Sequence, residues 1–137
     1  FIGPLQSNKT RLVAEHFDWV QAVDRIKIAQ RLNDQVSPNK TLNVCIQVNI
    51  DDDENKAGIS VSELNDFAKA ISGLPNLRLR GLMTIPKANQ SQADKQLVLH
   101  AWQHCLNPLK NSTHQSIRYL WACREICKTP LTMEVLW

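Results

Sequence analysis

Four short stretches in the first 96 residues have the apolar patterning of β-strands. The clearest is TLNVCIQVNI, whose β-branched and apolar residues are typical of a strand buried on both faces. NLRLRGLMTIP is a second clear stretch and ends at a proline. Two shorter apolar runs open the chain and follow Asp18. The predicted strands are Phe1–Gly3, Trp19–Val23, Leu42–Ile50 and Leu77–Ile85.

Between these strands, apolar residues recur every three or four positions, which predicts amphipathic helices. KTRLVAEHF predicts the first helix and RIKIAQRLNDQVS the second. SVSELNDFAKAISGL predicts the third, with Ser60 or Ser62 as the N-cap and Gly73 as the stop. A further helix is predicted to begin near Ala93. The apolar faces of the second and third helices are formed by Ile26, Ala29 and Leu32, and by Leu64, Phe67, Ala68 and Ile71.

Alternating strands and helices predict an α/β fold with right-handed crossovers and a parallel sheet. A doubly wound sheet and a (β/α) barrel both have this order. No GxGxxG or GxxxxGK[ST] motif follows a predicted strand, so a nucleotide-binding open sheet loses its main support. The sequence therefore favours about four consecutive βα units of a TIM-type (β/α)8 barrel, which needs eight strands to close.

Composition narrows the protein class. The 137 residues are 43% hydrophobic and 21% charged, as in soluble globular domains. A net charge of +3 is too small and dispersed to favour nucleic acid, and no apolar run is long enough to cross a bilayer. Four cysteines without an export signal predict reduced thiols. The chain begins at Phe1 rather than Met, which is consistent with an additional upstream piece.

The motifs FIGPLQSNK, LNVCIQVNID, ENKAGI and LRLRGLMTIP together resemble the YggS/PROSC family, the pyridoxal-phosphate-binding homeostasis proteins. The resemblance covers Phe1 to about Gln96. It implies a single-domain barrel like the N-terminal domain of alanine racemase, of which this stretch matches the third to sixth strands. It also implies a cytoplasmic, monomeric protein that binds pyridoxal 5'-phosphate, without nucleic-acid or membrane partners. A fragment of an alanine-racemase-like enzyme is the alternative.

The resemblance also implies where the cofactor is held. The family's Schiff-base lysine is expected before Phe1, and its phosphate-binding loops beyond Gln96. Within this chain, the cofactor-binding candidates are Asn8, Asn49 and Met83. Each has a simpler interpretation: a solvated helix start for Asn8, a loop cap for Asn49 and a core side chain for Met83. No residue is assigned a catalytic role, and no metal site is predicted from the acids at 51–54.

The composition changes abruptly near Leu97. All four glycines and eleven of the thirteen acids precede this residue, whereas three of the four tryptophans and three of the four cysteines follow it. Cys123 and Cys127 lack the spacing and second ligand pair of a zinc site. A shift of reading frame near Leu97–Leu99 explains the change, because the other frame permits a family-like sequence.

This interpretation divides the chain into residues 1–97, the central portion of the barrel domain, and residues 98–137, a poorly structured out-of-frame tail. A helix through HAWQHCLNPL is allowed in the tail. Beyond Pro108, we expect no strand beside Leu77–Ile85.

Overall fold

The structure is a computed structural model that describes residues 1–85 and the backbone of residues 118–121. It contains a parallel sheet in which the strands lie side by side in sequence order, β1-β2-β3-β4. A short 3₁₀ turn, Val61–Glu63, precedes the third helix. The elements are α1 (Thr10–His16), β1 (Trp19–Val23), α2 (Ile26–Gln35), β2 (Leu42–Gln47), α3 (Leu64–Ser72), β3 (Leu77–Thr84) and β4 (Arg118–Trp121).

The predicted parallel α/β architecture is confirmed, except that one predicted strand does not form and two strands end early, β2 at Gln47 and β3 at Thr84 rather than at Ile85. Residues Phe1–Gly3 do not form a strand. Only Phe1 pairs with β1: its amino group donates to Trp19 O at 2.6 Å, and its carbonyl accepts from Gln21 N at 2.9 Å. The turn at Gly3 and Pro4 ends the pairing, since proline has no N–H to donate. β2 ends at Gln47, before the predicted Ile50, because the chain turns into a loop there.

The expectation that no strand beyond Pro108 lies beside Leu77–Ile85 was wrong. β4 pairs with β3 in parallel, in a register that places Gly81 opposite Arg118 and Thr84 opposite Trp121. Two of the four residues of β4 are aromatic, which favours extended backbone. The outer edge of β3 also presents N–H and C=O groups that a further strand can pair with. The helices predicted near Ala93 and through HAWQHCLNPL lie outside the described residues.

Apolar side chains on one face of the sheet pack against the three helices and form the main core. Alternate residues of β2, from Leu42 to Ile46, contribute to this face, and so does Val48 just after the strand. The predicted helical faces are largely confirmed, since Ala29, Leu32 and Ile71 are fully buried. In the second helix, Ile28, which was not predicted, is buried, whereas the predicted Ile26 is only partly buried. The opposite face carries a smaller cluster of Ala22, Cys45 and Met83, with Trp19 packed against it. In a barrel, this opposite face points to the interior.

The predicted serine cap is Ser60, which caps the 3₁₀ turn Val61–Glu63 that leads into α3, whereas the N-cap residue of α3 itself is Glu63. The Glu63 carboxylate accepts a hydrogen bond from the Ser60 N–H at 3.0 Å and another from the Ser60 hydroxyl at 2.7 Å. These hydrogen bonds favour the ionised carboxylate and lower the pKa of Glu63. α3 ends at Gly73, the predicted stop, whose N–H donates to Lys69 O. The cap fixes where the chain leaves the loop after β2.

Candidate functional site

The carboxyl ends of β2 and β3 lie together at one edge of the sheet, where parallel barrels place ligand groups. Val48 N donates to Met83 O at 2.8 Å, and the Thr84 hydroxyl donates back to Val48 O at 2.8 Å. Thr84 is 1% exposed, so its hydroxyl is held in this bond away from water. The loop of residues 49–59 folds over this edge. We call the edge and its loop the carboxyl wall.

Asn49 organises the first half of the loop with its side-chain amide. Its Nδ2 donates to Asp53 O at 2.9 Å, and its Oδ1 accepts from Asp53 N at 3.1 Å. The Asp53 carboxylate in turn accepts from Asn55 N at 3.1 Å. The amide of Asn49 thus takes the place of a backbone pairing partner and allows a tight turn, in which Asp52 has a φ of 49°. Asn49 therefore helps to fix the shape of the carboxyl wall.

Lys56 connects the middle of the loop to the end of β3. Its ammonium lies 3.2 Å from Asp51 Oδ2 and donates to Ile85 O at 2.9 Å. The side chain of Asp51 is only 5% exposed, and that of Lys56 is 24% exposed. A half-buried ammonium therefore joins two segments 29 residues apart in sequence. Lys56 therefore has a structural role within the carboxyl wall.

The loop returns to β2 through Gly58. The N–H of Ile59 donates to Gln47 O, and the N–H of Asn49 donates to Ile59 O, both at 2.9 Å. The Gln47 amide also donates to Ala57 O at 2.9 Å. Gly58 has a φ of +129°, and a Cβ there would lie 2.7 Å from Asn49 N. Only glycine fits this close approach of two backbone segments.

On the interior face of the sheet, the side chains change from apolar next to the carboxyl wall to polar towards the amino ends of the strands. Met83 and Cys45 are at most 1% exposed, and Arg80 lies towards the amino end of β3. Arg80 Nε donates to Asn43 Oδ1 at 2.6 Å, and its guanidinium lies 5.9 Å from the centre of the Trp19 ring. The polar layer therefore lies at the amino end of the strands, and the apolar layer lies next to the carboxyl wall.

Burial raises the pKa of the Cys45 thiol to about 12, although the charge of Arg80 opposes this shift. The folded chain therefore favours the neutral thiol. This stabilising contribution is fully present below the ordinary cysteine pKa of about 8.5 and is lost as the pH rises towards the folded value. Cys45 is consequently a core side chain and a poor nucleophile.

We expect Cys45 to resist alkylation in the folded chain. With iodoacetamide at pH 8, peptide mapping should show it at least about tenfold less modified than in urea, because the thiolate is the reactive form. The same sample at pH 10.5 should show lower stability towards urea than at pH 8. Rapid modification of Cys45 in the folded chain at pH 8 would contradict its burial.

The structure brings two of the three predicted site residues together. Met83 lies opposite Gln47 in the sheet, and Asn49 follows Gln47 by two residues at the same edge. Asn8 lies in an exposed turn before α1. Three residues of the wall were not predicted as site residues: Gln47, Gly58 and Thr84. Two of them have a visible signal in the sequence, since Gln47 is a polar residue within an apolar strand and Gly58 is a glycine in the loop that follows it.

Neither a metal-binding cluster nor a membrane-spanning helix occurs in the part of the chain that the structure describes. This part of the chain contains no group of three or more histidine, cysteine, aspartate or glutamate side chains that could hold a metal ion. It also contains no helix long and apolar enough to cross a membrane. Of the acids at 51–54, Asp53 accepts a hydrogen bond within the loop and Asp51 pairs with Lys56.

Residues 1–127 match the family described as alanine racemase, N-terminal domain. The chain belongs to this family. It is also 60% identical over 97 residues to a pyridoxal phosphate homeostasis protein of Haemophilus influenzae, covering 70% of this chain and 41% of the relative. It is 61% identical over 87 residues to the protein of that name from Escherichia coli K12, covering 63% of this chain and 37% of the relative. The predicted resemblance is confirmed, and the chain spans about two fifths of these relatives.

Solved structures of family members have the same fold. PipY of Synechococcus elongatus without PLP has a TM-score of 0.76 and 30% identity, over 88% of this chain and 56% of that one. PipY with PLP bound gives a TM-score of 0.74 and 28% identity over the same shares. Alanine racemase of Bacillus anthracis gives 0.67 at 18% identity, over 88% of this chain and 31% of that one, and shows the fold alone. The expected partial barrel of alanine racemase type is confirmed.

Proposed function

We propose that this alanine racemase N-terminal domain chain is part of a barrel that binds pyridoxal 5'-phosphate and serves intracellular homeostasis of that cofactor. The observation that carries the proposal is the 60% identity over 97 residues to a protein named for this role. The architecture supports it, because the carboxyl wall is the part of a barrel where ligands bind. PipY, which has the same fold, has been solved with PLP bound.

Residues 1–85 fit one wall of such a site and do not fit its anchor. Met83 lies fully buried in the apolar layer behind the wall, and Asn49 fixes the loop that rises beside it. Asn8 is proposed as a polar contact from the turn before α1. A covalent anchor requires a lysine amine that is free to react, whereas the ammonium of Lys56 is held by Asp51 and Ile85. We place the covalent lysine and the phosphate contacts outside residues 1–85.

We further propose that the whole protein carries the cofactor without catalysing a reaction. When bound to an enzyme, pyridoxal phosphate supplies an electron sink. Among the described residues of the carboxyl wall, the side chains of Gln47, Asn49 and Thr84 donate to backbone carbonyls, and Lys56 pairs with Asp51, so these polar groups hold the wall together. The likeness to alanine racemases at 11–18% identity concerns the fold alone and does not favour an enzyme. We also propose that the whole protein is a cytoplasmic monomer that binds a small molecule.

The division of the chain near residue 97 also remains a proposal. The abrupt change of composition and the 87 to 104 residues spanned by the curated relatives support it. The family-like sequence in the other reading frame requires particular third bases in the visible codons. It predicts that the codons of Leu120, Cys123 and Arg124 end in A, T and G. Sequencing the gene decides this, and other third bases would refute the alternative frame.

The cofactor proposal predicts the behaviour of a chimera. Residues 1–85 would replace the matching segment of the Haemophilus influenzae relative, and binding would be followed by absorbance during titration with pyridoxal phosphate. We expect Asn49→Ala and Met83→Ala to weaken binding roughly three- to tenfold, because each deforms the wall. Asn39→Ala, in an exposed turn away from the wall, is the matched control and should bind like the parent.

A folded chimera that fails to bind the cofactor would refute the proposed function. Alanine racemisation by the chimera at a rate well above background would favour the enzyme instead. Equal binding by all three variants would remove Asn49 and Met83 from the site while leaving the family role intact.

A further inference from the structure

Two arginines that follow β1 hold the turn that precedes α1. The Arg25 guanidinium donates from Nη2 to Leu5 O at 2.8 Å. Arg31 donates from Nε to Ser7 O at 3.1 Å, and this nitrogen lies 3.4 Å from Thr10 Oγ1. The Thr10 hydroxyl donates to the same Ser7 carbonyl at 2.9 Å. Two backbone carbonyls of the turn are therefore fixed by side chains 20 and 24 residues away in sequence.

The two guanidinium groups are supported by α2. Arg25 is the N-cap residue of α2, and its carbonyl accepts a hydrogen bond from Ile28 N at 3.0 Å. Its Nε also donates to the Asp24 carboxylate at 3.1 Å. Arg31 lies within α2, directly before Leu32, which is fully buried in the main core. Because α2 is packed in this way, both donors reach the turn from a rigid helix.

The turn lies at the carboxyl edge of the sheet, beside the end of β1. Phe1 O accepts from Gln21 N, and the Phe1 amino group donates to Trp19 O, which is the pattern of parallel pairing. The chain therefore runs towards the carboxyl edge after Phe1. The Arg25 contact then places Leu5 next to the segment that follows β1. Ligands of parallel barrels bind at this edge.

The turn is buried at both ends and exposed between them. Leu5 is 1% exposed and Thr10 is 0% exposed, whereas Asn8 is exposed. In a turn that only begins a helix, water can serve the carbonyls, and no long side chain has to lose its rotamer freedom. Two ordered arginines are used here instead, and the planar guanidinium holds its acceptors in a fixed direction. This arrangement suits a turn whose exposed side chains must keep a set orientation.

We propose that Arg25 and Arg31 are positioning residues for the cofactor contact of Asn8. They act through the backbone of residues 5–10 and do not touch the ligand themselves. The inference rests on the proposed function, because Asn8 is assigned there as a polar contact to pyridoxal phosphate. A turn that is already ordered does not have to be ordered when the cofactor binds, and this increases affinity. Removing either guanidinium should therefore weaken binding, although neither contacts the ligand.

The test uses the chimera with the Haemophilus influenzae relative and follows absorbance during titration with pyridoxal phosphate. We expect Arg31→Met to weaken binding roughly three- to tenfold, because the turn is no longer ordered before the cofactor binds. Arg25→Met should weaken binding as well, and because this side chain is 54% exposed, the second variant should fold like the parent. Arg11→Met is the matched control and should bind like the parent, because Arg11 is 78% exposed and pairs with Glu15 on α1.

A double-mutant cycle separates positioning from a general loss of stability. Because the arginines act through Asn8, Arg31→Met should weaken binding much less in an Asn8→Ala background than in the parent. Amide exchange of the full 137-residue chain gives a second readout. Residues 5–10 should exchange faster in Arg31→Met than in the wild-type chain, while β2 and β3 keep their protection.

The outcomes distinguish this inference from the proposed function. A folded parent chimera that binds no cofactor would overturn the proposed function and this inference with it. A parent chimera that binds, together with unchanged binding by Arg31→Met and Arg25→Met, would overturn the inference alone. Equal weakening by Arg11→Met, or effects of Arg31→Met and Asn8→Ala that simply add, would overturn it as well. If Arg31→Met does not fold, the same cycle with Arg25→Met decides.

Discussion

Replacing Gly58 with alanine is expected to destabilise the folded chain by about 3 kcal/mol. Two effects add: the φ of +129° is unfavourable for a residue with a Cβ, and that Cβ would lie 2.7 Å from Asn49 N and 2.9 Å from Val48 C. Both neighbours are backbone atoms, so a change of rotamer cannot relieve the contact. The loop 49–59 would have to move away from β2, which would disturb the carboxyl wall.

Two other glycines provide matched controls for this prediction. Gly3 has a φ of +115° but no atom within 4 Å of an added Cβ, so Gly3→Ala should cost less than Gly58→Ala. Gly73 has a φ of −79°, and an added Cβ would make only ordinary contacts, at 3.5 Å from Ala70 O and 3.9 Å from Lys69 O, so Gly73→Ala should be nearly neutral or slightly stabilising. Urea unfolding of the three variants checks the order. A Gly58→Ala variant as stable as Gly73→Ala would contradict the described loop.

Replacing Lys56 with methionine is expected to cost about 2 kcal/mol. The change removes the ion pair with Asp51 and the hydrogen bond to Ile85 O while retaining much of the apolar stem. Because the Asp51 side chain is only 5% exposed, water cannot fully replace the lost ammonium. The variant should also exchange the amides of the loop faster than the wild-type chain.

The exposed pair of Lys69 and Asp66 is the control for Lys56. Their side chains are 78% and 91% exposed with the charges 3.8 Å apart, so Lys69→Met should change stability by less than about 0.5 kcal/mol. A double-mutant cycle of Lys56→Met with Asp51→Asn should show a coupling of about 1 kcal/mol or more. Coupling near zero, or equal effects of the two lysine changes, would exclude a structural role for Lys56.

The sheet and its helices could be predicted because their apolar patterns extend over several residues. β2 and the second half of β3 bury both faces, so most residues in TLNVCIQV and GLMT are apolar or small, and the helices repeat apolar residues on one side. Phe1–Gly3 was assigned as a strand on the same grounds. That assignment was wrong, because a segment of three residues that is followed by a turn at Gly3 and Pro4 is too short to form a ladder of backbone hydrogen bonds with β1. β4 was not expected, since its pairing depends on the edge that β3 offers rather than on a long pattern of its own.

The carboxyl wall was only partly visible in the sequence. Asn49 could be predicted as a site residue because it is a polar residue at the end of an apolar strand. Met83 could be predicted because of its position near the end of the next strand. The bonds that form the wall join residues 4 to 36 positions apart, such as Asn49 to Asp53 and Thr84 to Val48, and no local pattern specifies these pairs. Glycine is needed at position 58 because the backbone at the end of the loop packs closely against the backbone of Asn49, and this contact is likewise not visible in the local sequence.

The central claim is that residues 1–85 form a wall of a pyridoxal phosphate site and contain no covalent anchor for the cofactor. The most direct measurement is reduction with borohydride after incubation with pyridoxal phosphate, followed by mass-spectrometric mapping. The isolated chain should show scattered labelling well below one cofactor per chain. The chimera with the Haemophilus influenzae relative should carry one stoichiometric label, on a lysine outside residues 1–85. Stoichiometric labelling of a single lysine within them, such as Lys9 or Lys56, would contradict the claim.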